Sequence, residues 1–114
     1  MLIKNKEAKK FTIPGGTEGL IYPSDLDGDF TVAKVSINGI YPQKGYSIND
    51  ISKESLFVLK GEIEVLVEDK KFVLKKGDLI IIKPNKKYQI KGKAEVLDII
   101  TPAWEKNKNQ IIKN

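Results

Sequence analysis

The sequence of 114 residues contains no cysteine, no histidine and no arginine. Each absence removes a class of chemistry. Without cysteine there are no disulfides and no thiolate metal sites. Without histidine, the commonest metal ligand and the commonest general base are both missing. Without arginine there is no guanidinium fork for bidentate contact with guanine or phosphate. The formal net charge is +5, yet all 20 basic residues are lysine. They are spread along the chain apart from pairs at 9–10, 70–71, 75–76 and 86–87, which mostly flank turn signals. Solvated surface charge is the reading, and no nucleic-acid partner is expected.

Long apolar runs are also missing. The longest, such as Leu79–Ile82, fall far short of the ~20 residues of a membrane helix. The opening MLIKNKEAKK has no apolar core of a secretory leader. A cytoplasmic protein with no membrane partner is therefore expected. No stretch carries a convincing amphipathic helix, and no internal repeat or domain linker interrupts the chain.

Short strand patterns separated by turn residues fill the remainder. In Phe30–Ile37, Thr31, Ala33, Val35 and Ile37 share one face, and Val32, Lys34 and Ser36 share the other. Ile63, Val65 and Val67 alternate with Glu62, Glu64 and Leu66. Leu79–Ile82 is apolar on both faces, which predicts a central strand. Pro14-Gly15-Gly16, Asn38-Gly39, Gly61, Lys75–Asp78, Pro84-Asn85 and Lys91–Lys93 read as turns or breaks. The acidic stretch Asp25–Asp29 lacks the Gly and Glu spacing of a calcium loop and reads as a turn. One domain is expected: a basic arm at 1–10, an all-β barrel or sandwich at 11–104, and a polar tail at 105–114 with a helical turn around Ile111 and Ile112.

The central stretch from Glu54 to Tyr88 resembles a cupin. Glu54 and Gly61 have the Glu-x6-Gly spacing that ends the first cupin motif. The second motif opens at Gly77-Asp78 and continues through Pro84-Asn85; Tyr88 stands in the histidine position and Gly92 in the asparagine position. The resemblance covers Lys44 to Lys93. It implies a double-stranded β-helix, or jelly-roll barrel, with flanking strands at 30–37 and 94–101. It also implies a metal site of three histidines and a glutamate, of which only Glu54 survives. The His-x-His positions fall on Ser47/Asn49 or on Ile48/Asp50. No metal or other cofactor is expected; any metal would be held weakly by Asn49, Asp50, Glu54 and Tyr88.

Several residues are singled out for chemistry. Glu54 begins its strand near the barrel rim, where a carboxylate in an apolar cavity can move a proton. Asp98 interrupts the apolar run Val96–Ile100 and shares parity with Val96 and Ile100, so it faces solvent, a partner or a cavity. In an enzyme reading Glu54 or Asp98 is the candidate base and Tyr88 the candidate acid. Lys44, Tyr46, Asn49 and Asp50 form a polar-aromatic segment, together with Tyr41, suited to a small polar or carbohydrate-like ligand. Two functions follow: a small-ligand-binding barrel without the histidine metal site, or a metal-independent isomerase or epimerase acting on a sugar or sugar phosphate, with Lys44 holding an anion. Trp104 is read as a packing lid or dimer contact. A homodimer is expected through outward Phe57, Leu59 and Leu66.

Overall fold

The alternation in the longest β-rich segments decides the architecture. The structure is a computed structural model and describes residues 1–23 and 28–113. Residues Asp25–Asp27 of the acidic turn lie outside the described residues. Among the described residues nine strands run in chain order: β1 Lys9–Ile13, β2 Thr17–Ile21, β3 Thr31–Tyr41, β4 Tyr46–Asn49, β5 Lys53–Val67, β6 Lys70–Lys75, β7 Leu79–Ile82, β8 Tyr88–Thr101 and β9 Asn109–Ile112. All pairings are antiparallel, and they curl one sheet into a jelly-roll barrel.

Three long strands form its spine. β8 lies between β3 and β5, and β5 also pairs with β6 and β7. Thr31, Ala33, Val35 and Ile37 of β3 point inward against Leu56, Val58, Ile63 and Val65 of β5 and Ile90, Ala94 and Val96 of β8. The inward parity of β5 switches from even to odd at a bulge between Val58 and Lys60. One strand thereby serves two halves of the core.

Glycines expected to end strands instead bend them. Asn38-Gly39 is not a hairpin turn, Gly61 does not end a strand, and Lys91–Lys93 does not separate two strands; all lie inside β3, β5 and β8. Gly39 (φ +147°) pairs with Gly92 (φ +141°), and Gly92 pairs in turn with Ile63. At Gly39 the Pro14–Gly16 turn docks on the bent strand, with Asn38 and Ile40 donating backbone hydrogen bonds to the carbonyls of Gly16 and Gly15 (2.7 and 2.8 Å). A Cβ on Gly39 would strike the Gly15 carbonyl oxygen.

Two other expectations change. β7 pairs only with β5 among the described strands, so Leu79–Ile82 is an edge strand. Its Ile82 is buried, but Leu79 and Ile81 are each 56% exposed. The tail is not separate from the sheet. Asn109–Ile112 pairs with β4, and the helical turn sits earlier, as a 3-10 turn at Lys106–Lys108. Ile111 and Ile112 are therefore extended, because β4 offers them a free edge that local sequence does not reveal.

The lysine runs behave as solvated charge. On the outer face Lys71 and Lys91 lie 3.8 and 3.5 Å from Glu64, and Lys75 lies 3.9 Å from Glu62. Exposed pairs of this kind contribute well under ~1 kcal/mol each. Among the described residues no helix is long and apolar enough to cross a membrane.

Candidate functional site

The barrel interior is not filled. A cavity of about 340 Å³ lies between β1–β3 on one side and β5 and β8 on the other. That volume falls in the range that small ligands occupy. Most of its lining is apolar, supplied by residues such as Phe11, Ile13, Val35, Leu56, Ile90 and Val96. The polar groups are few: Thr17, Tyr41, Glu54, Tyr88, Asp98 and Asn109. Trp104 stands at its edge and is 40% exposed.

Register brings the acidic groups together. Glu54 on β5 pairs with Ile100 of β8, and Asp98 lies two residues away on the same inward face. The two carboxyls are thus diagonal cross-strand neighbours, a spacing within reach of long side chains. Tyr88, at the start of β8, crosses the interior and donates its hydroxyl to Glu54 Oε1 at 2.5 Å. Glu54 and Tyr88 are both buried. The Tyr41 ring tilts against Tyr88 with centroids 6.2 Å apart, and the Tyr41 hydroxyl meets Ser47 Oγ at 3.2 Å. Asn109 Nδ2 donates to the same Ser47 oxygen at 3.4 Å.

Burial sets the proton affinities. The Asp98 carboxyl is held well above the usual carboxylate range, first by burial, then by the negative charge of Glu54, then by a hydrogen bond shared with it. Burial also raises the Tyr88 hydroxyl well above its usual range, with the Glu54 charge second. Burial is the largest cause of a smaller rise at Tyr41. Asp98 Oδ1 and Thr17 Oγ1 are buried without a hydrogen-bond partner among the described residues. Such groups are uncommon in a folded protein.

The proton on Asp98 has a measurable consequence. Its folded-state affinity exceeds its unfolded one, so its contribution to stability is fully present below about pH 3.9, the ordinary Asp value. That contribution is lost as pH rises through the folded-state value. Asp98→Asn keeps the shape and removes the titration. Its melting temperature relative to wild type should therefore climb as pH rises from 4 to 8, by a few degrees in all. A difference that stays flat across that range would show that Asp98 titrates normally.

The expected ligand-binding segment behaves differently from Glu54, Tyr88 and Asp98. Lys44 is exposed, in the bend between β3 and β4, and does not line the cavity. Tyr46 carries Lys87 Nζ 4.9 Å from its ring centre and also lies off the cavity. Asp50 accepts from Gln110 Nε2 at 3.2 and 3.4 Å on the exterior. Asn49 is buried, but its Oδ1 takes the backbone N–H groups of Ile51 (3.2 Å) and Ser52 (2.8 Å). The sequence reading missed Thr17 and Asn109. Neither carries a local signal: Thr17 follows a turn, and Asn109 reaches the cavity only because β9 pairs with β4.

The metal that the cupin resemblance implies does not fit these residues. The buried pair of β4 is Ser47 and Asn49. Ser47 Oγ is bonded to Tyr41, Asn49 Oδ1 caps the following turn, and Tyr88 presents a hydroxyl already given to Glu54. Among the described residues no three of His, Cys, Asp or Glu are placed to hold an ion.

The family model of the cupin domain matches residues 47–100. The chain carries a cupin domain. This cupin is similar in fold to Pac13 of Streptomyces, described as a nucleoside dehydratase, at a TM-score of 0.88 and 19% identity, over 99% of this chain and 91% of Pac13. Three point variants of Pac13, two replacing a tyrosine with phenylalanine and one a histidine with glutamine, are structures with uridine. It is also similar to KdgF from Halomonas, with a TM-score of 0.72 and 17% identity over 94% of this chain and 96% of that one. An RmlC-like cupin from Shewanella frigidimarina gives a TM-score of 0.72 and 18% identity over 92% and 97% of the two chains. At these identities the likeness is one of fold. No curated protein matches the sequence.

Proposed function

We propose that this cupin binds a small polar molecule in its barrel and moves a proton on it, with Glu54 as base, Asp98 as acid and Tyr88 steadying Glu54. The observation that carries the reading is the Tyr88–Glu54–Asp98 constellation in an otherwise apolar cavity. Asp98, held in its proton-bearing form by burial, is placed to act as acid, and the Glu54 carboxyl beside it is placed to act as base. Burial favours a neutral, proton-bearing Asp98 and strengthens every electrostatic contact made by Glu54. The common step is removal of a proton from a carbon next to a carbonyl. Glu54 takes that proton, the C–H electron pair moves into the new C=C bond, and the Asp98 proton passes to the carbonyl oxygen as an enol forms. Return of a proton to a neighbouring carbon completes an isomerisation; loss of a β-hydroxyl as water completes an elimination. The fold likeness to a dehydratase studied with uridine supports nucleosides and sugars as first probes.

The test is a panel of nucleosides, sugars and their phosphates, scored first by thermal shift. Proton NMR in deuterated water then follows loss of carbon-bound hydrogen. A stabilising ligand that gains deuterium only with protein present is the expected result. Ligands that bind and gain no deuterium would leave a binding protein and remove the enzyme. Failure of every ligand to bind would remove both.

A second copy of the chain covers the outer face in this reading. Phe57 pairs with Leu79, and Leu79 and Ile81 stand exposed on an edge strand beside it. Exposed apolar edges of this kind invite pairing. Light scattering should give a dimer for wild type and a monomer for Ile81→Lys. A wild-type monomer would sink the assembly.

A further inference from the structure

The sign of the charge inside the cavity narrows the ligand further. Among the described residues every titratable side chain on the lining is an acid: Glu54, Asp98, Tyr41 and Tyr88. None of the 20 lysines reaches it, although they give the chain a net charge of +5. Lys44, the residue expected to clamp an anion, is exposed and off the cavity. A phosphate or carboxylate entering here would be desolvated against Glu54 with no cation to meet it, which costs several kcal/mol in ordinary cases. The orphaned groups point the same way. Thr17 is only 5% exposed, and its Oγ1, like Asp98 Oδ1, has no partner among the described residues. Thr17 Oγ1 can accept or donate and Asp98 Oδ1 can accept, so both are open to a hydroxyl or ammonium brought in by the ligand.

We infer that the cavity takes a molecule without negative charge that presents at least two hydrogen-bonding groups, hydroxyl or ammonium, and that it rejects phosphorylated and carboxylated forms. This rests on the cavity being the ligand site, as proposed above. It makes a sugar-phosphate substrate the wrong class.

Two measurements decide it. Trp104 is the only tryptophan and lines the cavity, so its fluorescence reports on what approaches. Lys9 and Trp104 share a second hollow, so the informative comparison is between proteins rather than between ions. Iodide quenching, taken relative to neutral acrylamide, should rise about two- to threefold when Glu54→Gln and Asp98→Asn are combined. Glu54→Gln should give most of the rise by itself and Asp98→Asn, which replaces a proton-bearing carboxyl, little of it, and melting curves check that all of them fold. An unchanged ratio in folded Glu54→Gln and in the folded double variant overturns the inference. The second measurement compares each binding sugar or nucleoside with its phosphate. At least tenfold weaker binding of the phosphate is expected, and equal or tighter binding overturns the proposal. An amino sugar that binds more tightly than its parent assigns the donor as ammonium; equal affinity assigns hydroxyl. If nothing in the panel binds, the ligand-site reading fails, while the quenching ratio still reports the charge selection by itself.

Discussion

Glu54→Gln is expected to slow deuterium incorporation into a bound ligand by about a thousandfold, within the range lost when a positioned general base is removed. The substitution keeps the volume of the side chain and an oxygen able to accept from the Tyr88 hydroxyl, so the 2.5 Å contact has a replacement. Folding should change little, and ligand affinity should fall by less than about tenfold. That split separates chemistry from binding: the amide occupies the same place but cannot take a proton. Asp98→Asn should also slow the reaction, because it removes the proton that burial and the Glu54 charge hold there. Incorporation that survives Glu54→Gln within a few-fold would move the base elsewhere and end the proposed roles.

Gly39→Ala is the second large effect, on stability. Gly39 sits at φ +147°, opposite Gly92, with the Gly15 carbonyl oxygen where a Cβ would go. Backbone strain and overpacking each cost about 1–3 kcal/mol, so a loss of about 3 kcal/mol or more is expected. That corresponds to a fall of about 10 °C or more in melting temperature for a domain of this size. Gly77→Ala is the control. Gly77 also has a positive φ, +90°, but nothing lies within 4 Å of its added Cβ, so only the strain of about 1 kcal/mol applies. Equal melting temperatures for the two variants would show that the contact between the Pro14–Gly16 turn and β3 contributes nothing. The same bend precedes Tyr41 by two residues, so Gly39→Ala should also disturb the cavity wall that Tyr41 forms.

Much of the site was legible because it lies on regular strands. Asp98 stood out as an acid at an inward parity among Val96 and Ile100, and strand periodicity alone sends all three to one side. Glu54 and Tyr88 were marked by their places in the two cupin motifs. The Lys44–Asp50 segment misled because polarity in a loop says nothing about which way it faces. Lys44, Tyr46 and Asp50 lie off the cavity, and Asn49 caps a turn.

By itself the sequence determined an all-β barrel, the absence of imidazole, thiolate and guanidinium chemistry, and three acid–base candidates. Those conclusions depend on composition and on a period of two residues, which are local properties. The tertiary structure decided the rest. It ran β3, β5 and β8 straight through glycines that read as breaks, because the neighbouring strands needed close backbone approach there. It put Leu79–Ile82 on an edge and Asn109 at the cavity, since both depend on which distant strand pairs with which. It brought Tyr88 onto Glu54, 34 residues away in the chain, and left every lysine outside the cavity. Local pattern chose the acids; long-range pairing gathered them at one cavity.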